Sequence, residues 1–282
     1  MIDAFIDSWA PLHDSYLAGA AIAALLSLTG IYIVARDRIF MGAAVAQSSA
    51  LGIAIGMRLE AAAWVGWMDA DSRHIAFAVI CSIAASLLMS ARGSDAGRSR
   101  DAVTAWVFLV ATSVTLLLVA DSTDGPAAAR RILAGTAIVA RPAEVAMFVA
   151  ACLLSLWVVA RRRDELLLLA SDAYMARAMG LPVATWDRLL AVWLGTIVAL
   201  SVHVAGIAYT FGCLVLPALA AKNVCREMRQ IVPTAPALGV ATALLGSFIA
   251  TEHGYPPAQT ATALLCAIVA LSALVGRLLH VR

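Results

Sequence analysis

Long apolar stretches, separated by short clusters of charged residues, run along the whole chain. A helix needs about 20 apolar residues to cross a bilayer. Stretches close to that length occur at 15–35, 39–57, 74–91, 102–120, 143–160, 189–205, 206–221, 232–250 and 258–276. The sixth and seventh adjoin, so only a tight turn near His203 to Gly206 separates them. The pattern predicts an all-α polytopic membrane protein with about nine transmembrane helices, within a range of eight to ten.

The composition supports a membrane protein over a soluble one. Of 282 residues, 62% are hydrophobic and 13% are charged, whereas soluble domains have about 45–50% apolar and about 25% charged residues. The net charge of +2 does not indicate nucleic-acid binding. The five cysteines form no C-x-x-C pair, which argues against a disulfide scaffold or a structural zinc site. Acidic residues and no base before Arg36 argue against a cleaved signal peptide. No linker or tail is long enough for a soluble domain, so we expect one transmembrane domain over 1–282.

The basic residues predict the orientation, because cytoplasmic loops of membrane proteins are enriched in Lys and Arg. With the N-terminus outside and the C-terminus in the cytoplasm, only five of the 20 fall in outer segments, namely Arg58, Arg73, Arg130, Arg131 and Arg141. The inner segments then hold Arg36, Arg38, Arg92, Arg98, Arg100, Arg161, Arg162, Arg163, Arg177, Arg188, Lys222, Arg226, Arg229, Arg277 and Arg282. The opposite orientation would invert this distribution.

Several kinds of chemistry are missing from the sequence. No interior of a predicted span carries Asp, Glu, Lys or Arg, which argues against a proton-coupled secondary transporter and an intramembrane protease. No G-x-x-x-x-G-K-[ST] phosphate loop is present, so we expect no nucleotide hydrolysis by this chain. The chain is therefore not predicted to be an enzyme, and uphill transport would need energy from another subunit.

A few polar residues lie in or beside the predicted spans. His203 stands near the outer end of its span and, taken alone, is more often a packed histidine than a metal ligand. Pro217 has no N–H group and therefore frees the carbonyl of Cys213 one turn earlier. Tyr209, Thr210 and Cys213 lie on or near one face of that helix. The bend at Pro217 could border a pathway or serve packing alone.

Three connecting segments are also informative. The outer segment 121–142 is too polar to span and contains a short apolar run, which favours a short surface helix. The inner segment 161–188 predicts a short cytoplasmic helix that Ser171 caps and that ends before Pro182. Glu252 and His253 are expected in an outer loop, either solvated or used for docking.

The second predicted span has two small faces. One contains Ala43, Gln47, Ala50 and Ala54, and the roughly opposite one contains Val45, Ser49, Gly52 and Gly56. Small residues let neighbouring helices approach closely, so this span is predicted to lie inside the bundle. Gln47 and Ser48 put polar groups at its midpoint, where such groups are costly.

Five stretches in order resemble the permease subunit of bacterial ATP-binding-cassette importers for zinc, manganese or iron (ABC-3 type). An Arg after the first span and then Gly42, Ser49, Gly52 and Gly56 resemble the family's second span. The strongest likeness is "VAGIAYTFGCLVLPALAAKNV" (204–224), a proline-containing span that begins at a glycine and ends in a base. The others are "ILAGTAIVARPAE" (132–144), "SDAYMARAMGL" (171–181) and "GYPPAQTATALL" (254–265).

The resemblance implies a multi-pass protein of the bacterial inner membrane that forms a homodimer or pairs with a related permease. A cytoplasmic ATPase subunit would use ATP, and an extracytoplasmic metal-binding protein would deliver the cargo. No cofactor would be bound by this chain. The segment at about 171–182 would couple to the ATPase through Ser171, Asp172, Met175, Ala178, Met179 and Gly180. Gly42, Gly52, Gly56, Gly206 and Pro217 would serve packing or kinking, and weak candidates for pathway lining are Gln47, Ser48, His203, Tyr209 and Cys213.

The sequence departs from the family where metal ligands are expected. The family's second span typically carries an aspartate and, four residues later, a histidine on the pathway face, and the matching positions here are Ala43 and Gln47. Gly254 and Tyr255 replace an aspartate often found before the proline of the last span. The leading hypothesis is a permease for zinc or manganese with weak ligation. The alternatives are a permease for a metal chelate or another small solute, and an accessory subunit paired with a ligand-bearing homologue.

Overall fold

The computed structural model describes residues 2–59, 69–91, 97–120, 141–225 and 227–280, and these residues contain helices and no strand. Ten helices are numbered here in chain order: α1 (Ile2–Ala35), α2 (Ile39–Arg58), α3 (Ala70–Ala91), α4 (Gly97–Ala120), α5 (Pro142–Arg161), α6 (Arg163–Ser171), α7 (Ala173–Ala178), α8 (Val183–Val224), α9 (Met228–His253) and α10 (Pro257–His280). Eight of them are long and apolar enough to cross a membrane. The predicted all-α membrane fold is confirmed, and the predicted surface helix at 121–142 lies almost entirely outside the described residues.

Helix α8 contains both the sixth and the seventh predicted spans. It has 42 residues and is interrupted at Gly206, whose φ of 80° and ψ of 170° are not helical. At 1.5 Å per residue the parts before and after Gly206 are about 34 Å and about 27 Å long, each close to the ~30 Å of a bilayer core. The break therefore falls at the predicted turn, at a residue type that tolerates positive φ.

Prolines lie near the starts of α1 and α5. Helix α1 starts at Ile2, 13 residues before the predicted span 15–35, and Pro11 lies inside it without ending it. Helix α5 starts with Pro142 in its first turn, where a missing N–H costs nothing. The backbone N–H of Arg141 donates to the carboxylate of Glu144 at 3.0 Å, which closes that end.

The chain forms two compact units. One comprises Met1–Asp37, Thr136–Leu181 and Ala208–Arg282, and the other comprises Arg38–Gly135 and Pro182–Ile207. In the first unit α1 packs against α5 and α9, and α9 packs against α10. In the second unit α2 packs against α3 and α4.

Glycines permit the closest helix contacts in the second unit. A Cβ built at Gly52 would lie 2.5 Å from the Cα of Ala78 and would overlap the carbonyl oxygen of Phe77. A Cβ at Gly195 would lie 2.8 Å from the Cα of Ile83. Since both obstacles are backbone atoms, α3 can approach α2 and the first part of α8 only because these residues lack a side chain.

Two arginines expected in outer connecting segments belong to helices instead. Arg73 lies in the first turn of α3, is only 4% exposed, and donates from Nε to the carbonyl of Gly56 at 3.2 Å. Arg58 ends α2 and donates from Nε to the carbonyl of Leu118 in α4 at 3.1 Å. The last carbonyls of a helix lack partners within it and carry its negative dipole end. These guanidinium groups therefore satisfy the ends of α2 and α4.

Candidate functional site

The second helix has the small, tightly packed character that its sequence predicts. Gly42, Ala50 and Ala54 are buried, and Ala43 and Gln47 are half-buried on the face that the resemblance assigns to the pathway. Helix α2 therefore lies in the interior of its unit, as predicted, with Gln47 as the polar group of that face.

The serines beside Gln47 differ in what their hydroxyl groups do. Ser48 donates from Oγ to the carbonyl of Ala44 in its own helix at 2.8 Å. Ser49 Oγ is buried and has no hydrogen-bond partner among the described residues. It lies on the face with Gly52 and Gly56, where a Cβ at Gly56 would meet the His74 side chain at 3.1 Å. Because the Ser48 hydroxyl already donates to the Ala44 carbonyl, Ser48 can offer a solute in the pathway only the lone pairs of its oxygen.

The carbonyl that Pro217 frees has found a partner from another helix. The single hydroxyl hydrogen of Ser27 in α1 is shared between the Cys213 carbonyl, 3.2 Å from Oγ, and the Ala23 carbonyl of its own helix, 2.6 Å from Oγ. The Cys213 side chain is fully buried. Because an unpaired buried carbonyl is costly, Ser27 makes the proline tolerable at this depth.

Tyr209 also faces α1. It is buried, and its hydroxyl donates to the carbonyl of Gly19 at 2.9 Å. Three turns further along α1, Gly30 lies so close to α8 that a Cβ there would overlap the carbonyl oxygen of Leu214. The polar groups of Tyr209 and Cys213 thus contact α1 in the first unit, which is a packing role whatever else they do.

His203 and the Gly206 break lie in the second unit. His203 is half-buried and Gly206 is buried. Ser201, two residues before His203, is fully buried with a hydroxyl that has no partner among the described residues. In the part of the chain that the structure describes, no three or more His, Cys, Asp or Glu side chains are grouped so that they could hold a metal ion.

The short helix predicted within 161–188 is present, but its cap is Asp172 rather than Ser171. The Asp172 carboxylate accepts the N–H groups of Tyr174 and Met175 at 2.9 and 3.0 Å. Ser171 instead ends α6, where its Oγ donates to the Leu167 carbonyl at 2.9 Å. A helix that reaches residue 171 leaves the cap position to the next residue, and aspartate is as good a cap as serine.

Helix α7 exposes apolar side chains on the protein surface. Tyr174, Met175 and Met179 are 73%, 54% and 68% exposed, while Ala176 is fully buried. Gly180 ends the helix with a φ of 81°, and the N–H of Leu181 donates to the Ala176 carbonyl at 3.0 Å. Ala178 and Gly180 are also exposed. The result is a short, well-capped helix with one buried point and a protruding apolar surface.

Glu252 and His253 end α9 rather than lying in a loop. Gly254 closes the helix with a φ of 68°, and the N–H of Tyr255 donates to the Ala250 carbonyl at 3.0 Å. The rings of His253 and Tyr255 stack with centroids 5.7 Å apart. Apolar periodicity ends at residue 250, and the helix continues because Gly254 terminates it with a left-handed cap.

The helices and their packing define a multi-pass helical membrane protein. The chain belongs to the ABC 3 transport family, which it matches over residues 9–276. Members of this family transport solutes rather than catalyse reactions, so the chain is a transport protein of an ATP-binding-cassette system and not an enzyme.

Curated relatives cover most of the chain at low identity. The manganese import system permease protein ScaB of Streptococcus gordonii is 25% identical over 257 residues, which are 88% of this chain and 86% of ScaB. The manganese transport system membrane protein MntC of Halalkalibacterium halodurans is 22% identical over 247 residues, which are 86% of this chain and 81% of MntC.

Solved structures share the fold. The structure of PsaBC from Streptococcus pneumoniae in complex with Fab has a TM-score of 0.77 at 18% identity. The match covers 96% of this chain and 95% of the PsaBC chain. An inward-facing structure assigned to a metal-chelate type ABC transporter has a TM-score of 0.74 at 16% identity, with 93% and 87% covered.

Proposed function

We propose that this chain is the permease of an ATP-driven importer that carries manganese or zinc across the cytoplasmic membrane of a bacterium. The observation that carries the proposal is the family match along almost the entire chain. Relatives named for manganese import or manganese transport support a metal cargo, and manganese is the first to test.

The contacts of the first unit support one common membrane side for several helix ends. Lys222, near the end of α8, pairs with Asp37 after α1 at 3.4 Å. Asn223 donates to Ser272 of α10 at 3.0 Å. At the other end, Tyr16 of α1 hydrogen-bonds Thr251 of α9 at 2.7 Å. The side with Asp37 and Lys222 is the one that the distribution of basic residues assigns to the cytoplasm.

On that side, α7 is the surface we assign to a separate ATPase subunit. Tyr174, Met175 and Met179 expose apolar area that a soluble partner could cover. Asp172 stabilises the first turn of this helix as its N-cap. The permease works as a dimer, of two copies or with a related chain. ATP is used by the partner, a binding protein supplies metal from outside, and this chain binds no cofactor.

The cargo passes without a strong binding site on α2. Ala43 cannot ligate a metal, and the neutral amide of Gln47 is a weak ligand for zinc. A conduit must release its ion, so weak and successive contacts suffice. The same two residues favour a second candidate, a metal chelate, since a ligand-bound metal needs no protein carboxylate or imidazole.

The cargo experiment uses the permease and its ATPase purified together in lipid nanodiscs. Binding protein loaded with manganese, with zinc or with a metal chelate is added, and ATP hydrolysis is measured. Stimulation by the manganese or zinc form supports the proposal. Stimulation by the chelate alone refutes the free-metal cargo, and purification only with a second, related permease supports an accessory role.

The ATPase contact is tested by replacing Met175 and Met179 together with Asp. Charged groups in the apolar contact should prevent ATPase co-purification or abolish ATP-driven uptake. Tyr255→Asn is the control, because Tyr255 is 59% exposed in the turn between α9 and α10 and asparagine is polar without restoring the carboxylate that the family often has there. Normal co-purification and transport by the double methionine variant would refute this placement of the ATPase.

A further inference from the structure

Arg36 joins the end of α1 to the end of α6. Its Nε and Nη2 both donate to the Leu169 carbonyl, at 3.0 and 2.8 Å. The guanidinium also lies over the Tyr32 ring, 4.7 Å from its centroid. A planar guanidinium that stacks on a ring and donates twice to one oxygen is fixed in distance and in orientation.

The acceptor, the Leu169 carbonyl, lies at the C-terminal end of α6, where a positive charge stabilises a helix. Leu169 is in the last turn of this helix, where carbonyls have no partner within the helix and the dipole is negative. Its side chain is only 1% exposed, so the contact is anchored in the interior. Asp172 caps α7 directly afterwards. The buried attachment and the exposed helix α7 therefore belong to one short, well-ordered segment.

Helix α1 is in turn held closely by other helices of its unit. A Cβ at Gly30 would lie 2.8 Å from the carbonyl carbon of Leu214, and one at Gly239 of α9 would lie 3.1 Å from the Ala23 carbonyl oxygen. Backbones this close cannot slide independently without repacking. A displacement of the Arg36 end of α1 would therefore move α9 and the part of α8 after Gly206.

We propose that Arg36 is a positioning residue that transmits movement of the α6–α7 segment to α1, and through α1 to the helices packed on it. The inference rests on the proposed ATPase contact at α7. Without the Arg36 clamp the ATPase still binds α7 and hydrolyses ATP, but α7 moves without carrying α1 along. The defect is therefore in coupling, not in assembly.

The test compares Arg36→Lys with Arg162→Lys. Arg36→Lys keeps the positive charge at this end of α1 and removes the planar two-pronged donor. Arg162→Lys is the matched control, because Arg162 lies just before α6 and pairs with Glu165 at 2.6 Å on the surface. In proteoliposomes with the ATPase and manganese-loaded binding protein, the number of ATP molecules hydrolysed per manganese ion imported should rise about 5-fold or more in Arg36→Lys, the lower end of the usual coupling between two protein sites. It should stay at the wild-type value in Arg162→Lys, and an unchanged ratio in Arg36→Lys would overturn the inference.

A second pair of variants covers the case in which Arg36→Lys does not assemble. Tyr32→Leu removes the ring beneath the guanidinium, whereas Tyr32→Phe keeps it. The ratio should rise in Tyr32→Leu and remain normal in Tyr32→Phe. Equal ratios in the two variants would overturn the inference.

Hydrogen exchange separates this inference from the proposed cargo. In the wild-type and Arg36→Lys permeases without any cargo, amide exchange is followed by mass spectrometry. Exchange should become faster over residues 166–179 in Arg36→Lys and stay unchanged in α9. Unchanged exchange over 166–179 would refute the clamp, whereas failure of wild-type manganese uptake would refute only the cargo.

Discussion

Gly30 offers the sharpest stability prediction, because the three nearest atoms that a Cβ there would meet all belong to the backbone of Leu214. In Gly30→Ala the new Cβ would overlap the Leu214 carbonyl oxygen and lie 2.8 Å from its carbonyl carbon. Overpacking of this kind costs up to about 3 kcal/mol, and alanine returns at most about 1 kcal/mol of helix stability. We expect a net loss of about 2 kcal/mol, which at about 2–4 °C per kcal/mol lowers the unfolding midpoint by about 4–8 °C.

Gly19 provides a control in the same helix. A Cβ there would lie 3.5 Å from the Tyr209 hydroxyl, an ordinary contact, so Gly19→Ala should keep or slightly raise the midpoint. Detergent-solubilised protein is heated in steps, and the fraction that remains monodisperse is measured by size-exclusion chromatography. A Gly30→Ala midpoint equal to or above the wild-type value would refute the packing of α1 on the backbone of α8.

Three further predictions concern a freed carbonyl, a helix cap and the pathway face. Ser27→Ala should lower the free energy of unfolding by about 1–3 kcal/mol, because it leaves the Cys213 carbonyl unpaired. The loss should be clearly smaller in a Pro217→Ala background, where an amide N–H is restored to that carbonyl. Additive losses of the two variants in thermal unfolding would contradict this. Asp172→Ala should remove about 1 kcal/mol of capping from α7 and speed its amide exchange while Asp172→Asn does not, and equal exchange in both would count against the cap. Gln47→Ala should change manganese uptake by no more than about 5-fold, the worth of one neutral hydrogen bond; near-total loss in a folded protein would show that the amide is a ligand.

Apolar length and helix breakers made most of the fold predictable. Gly206 could be placed at a break because two spans adjoin there without a polar linker. The short helix α7 could be predicted because Pro182 ends its apolar periodicity. Its cap could not, because Ser171 and Asp172 are adjacent and equally suitable cap residues. The choice depends on α6, which the sequence did not separate from its connecting segment.

Contacts between distant helices were beyond sequence reasoning. Pro217 predicts a freed carbonyl at Cys213, but its partner Ser27 lies 186 positions away. Arg36 was expected as a charge of the cytoplasmic side and as part of the stretch that resembles the family, whereas its two hydrogen bonds to the Leu169 carbonyl depend on where α6 ends. The small faces of α2 could be predicted from residue spacing, and the family resemblance assigns one of them to the pathway. Its cargo chemistry could not, because Ala43 and Gln47 lack the side chains that would reveal a metal.

The central claim is tested most directly by transport itself. The permease is reconstituted with its ATPase in proteoliposomes, with binding protein on the side opposite the ATPase. The binding protein is loaded with radioactive manganese or, in a parallel run, with radioactive zinc, and the metal is followed with ATP and with a non-hydrolysable analogue. The account predicts manganese accumulation that requires ATP, the binding protein and this chain. Accumulation of neither manganese nor zinc, by a complex that still hydrolyses ATP in response to another solute, would contradict it.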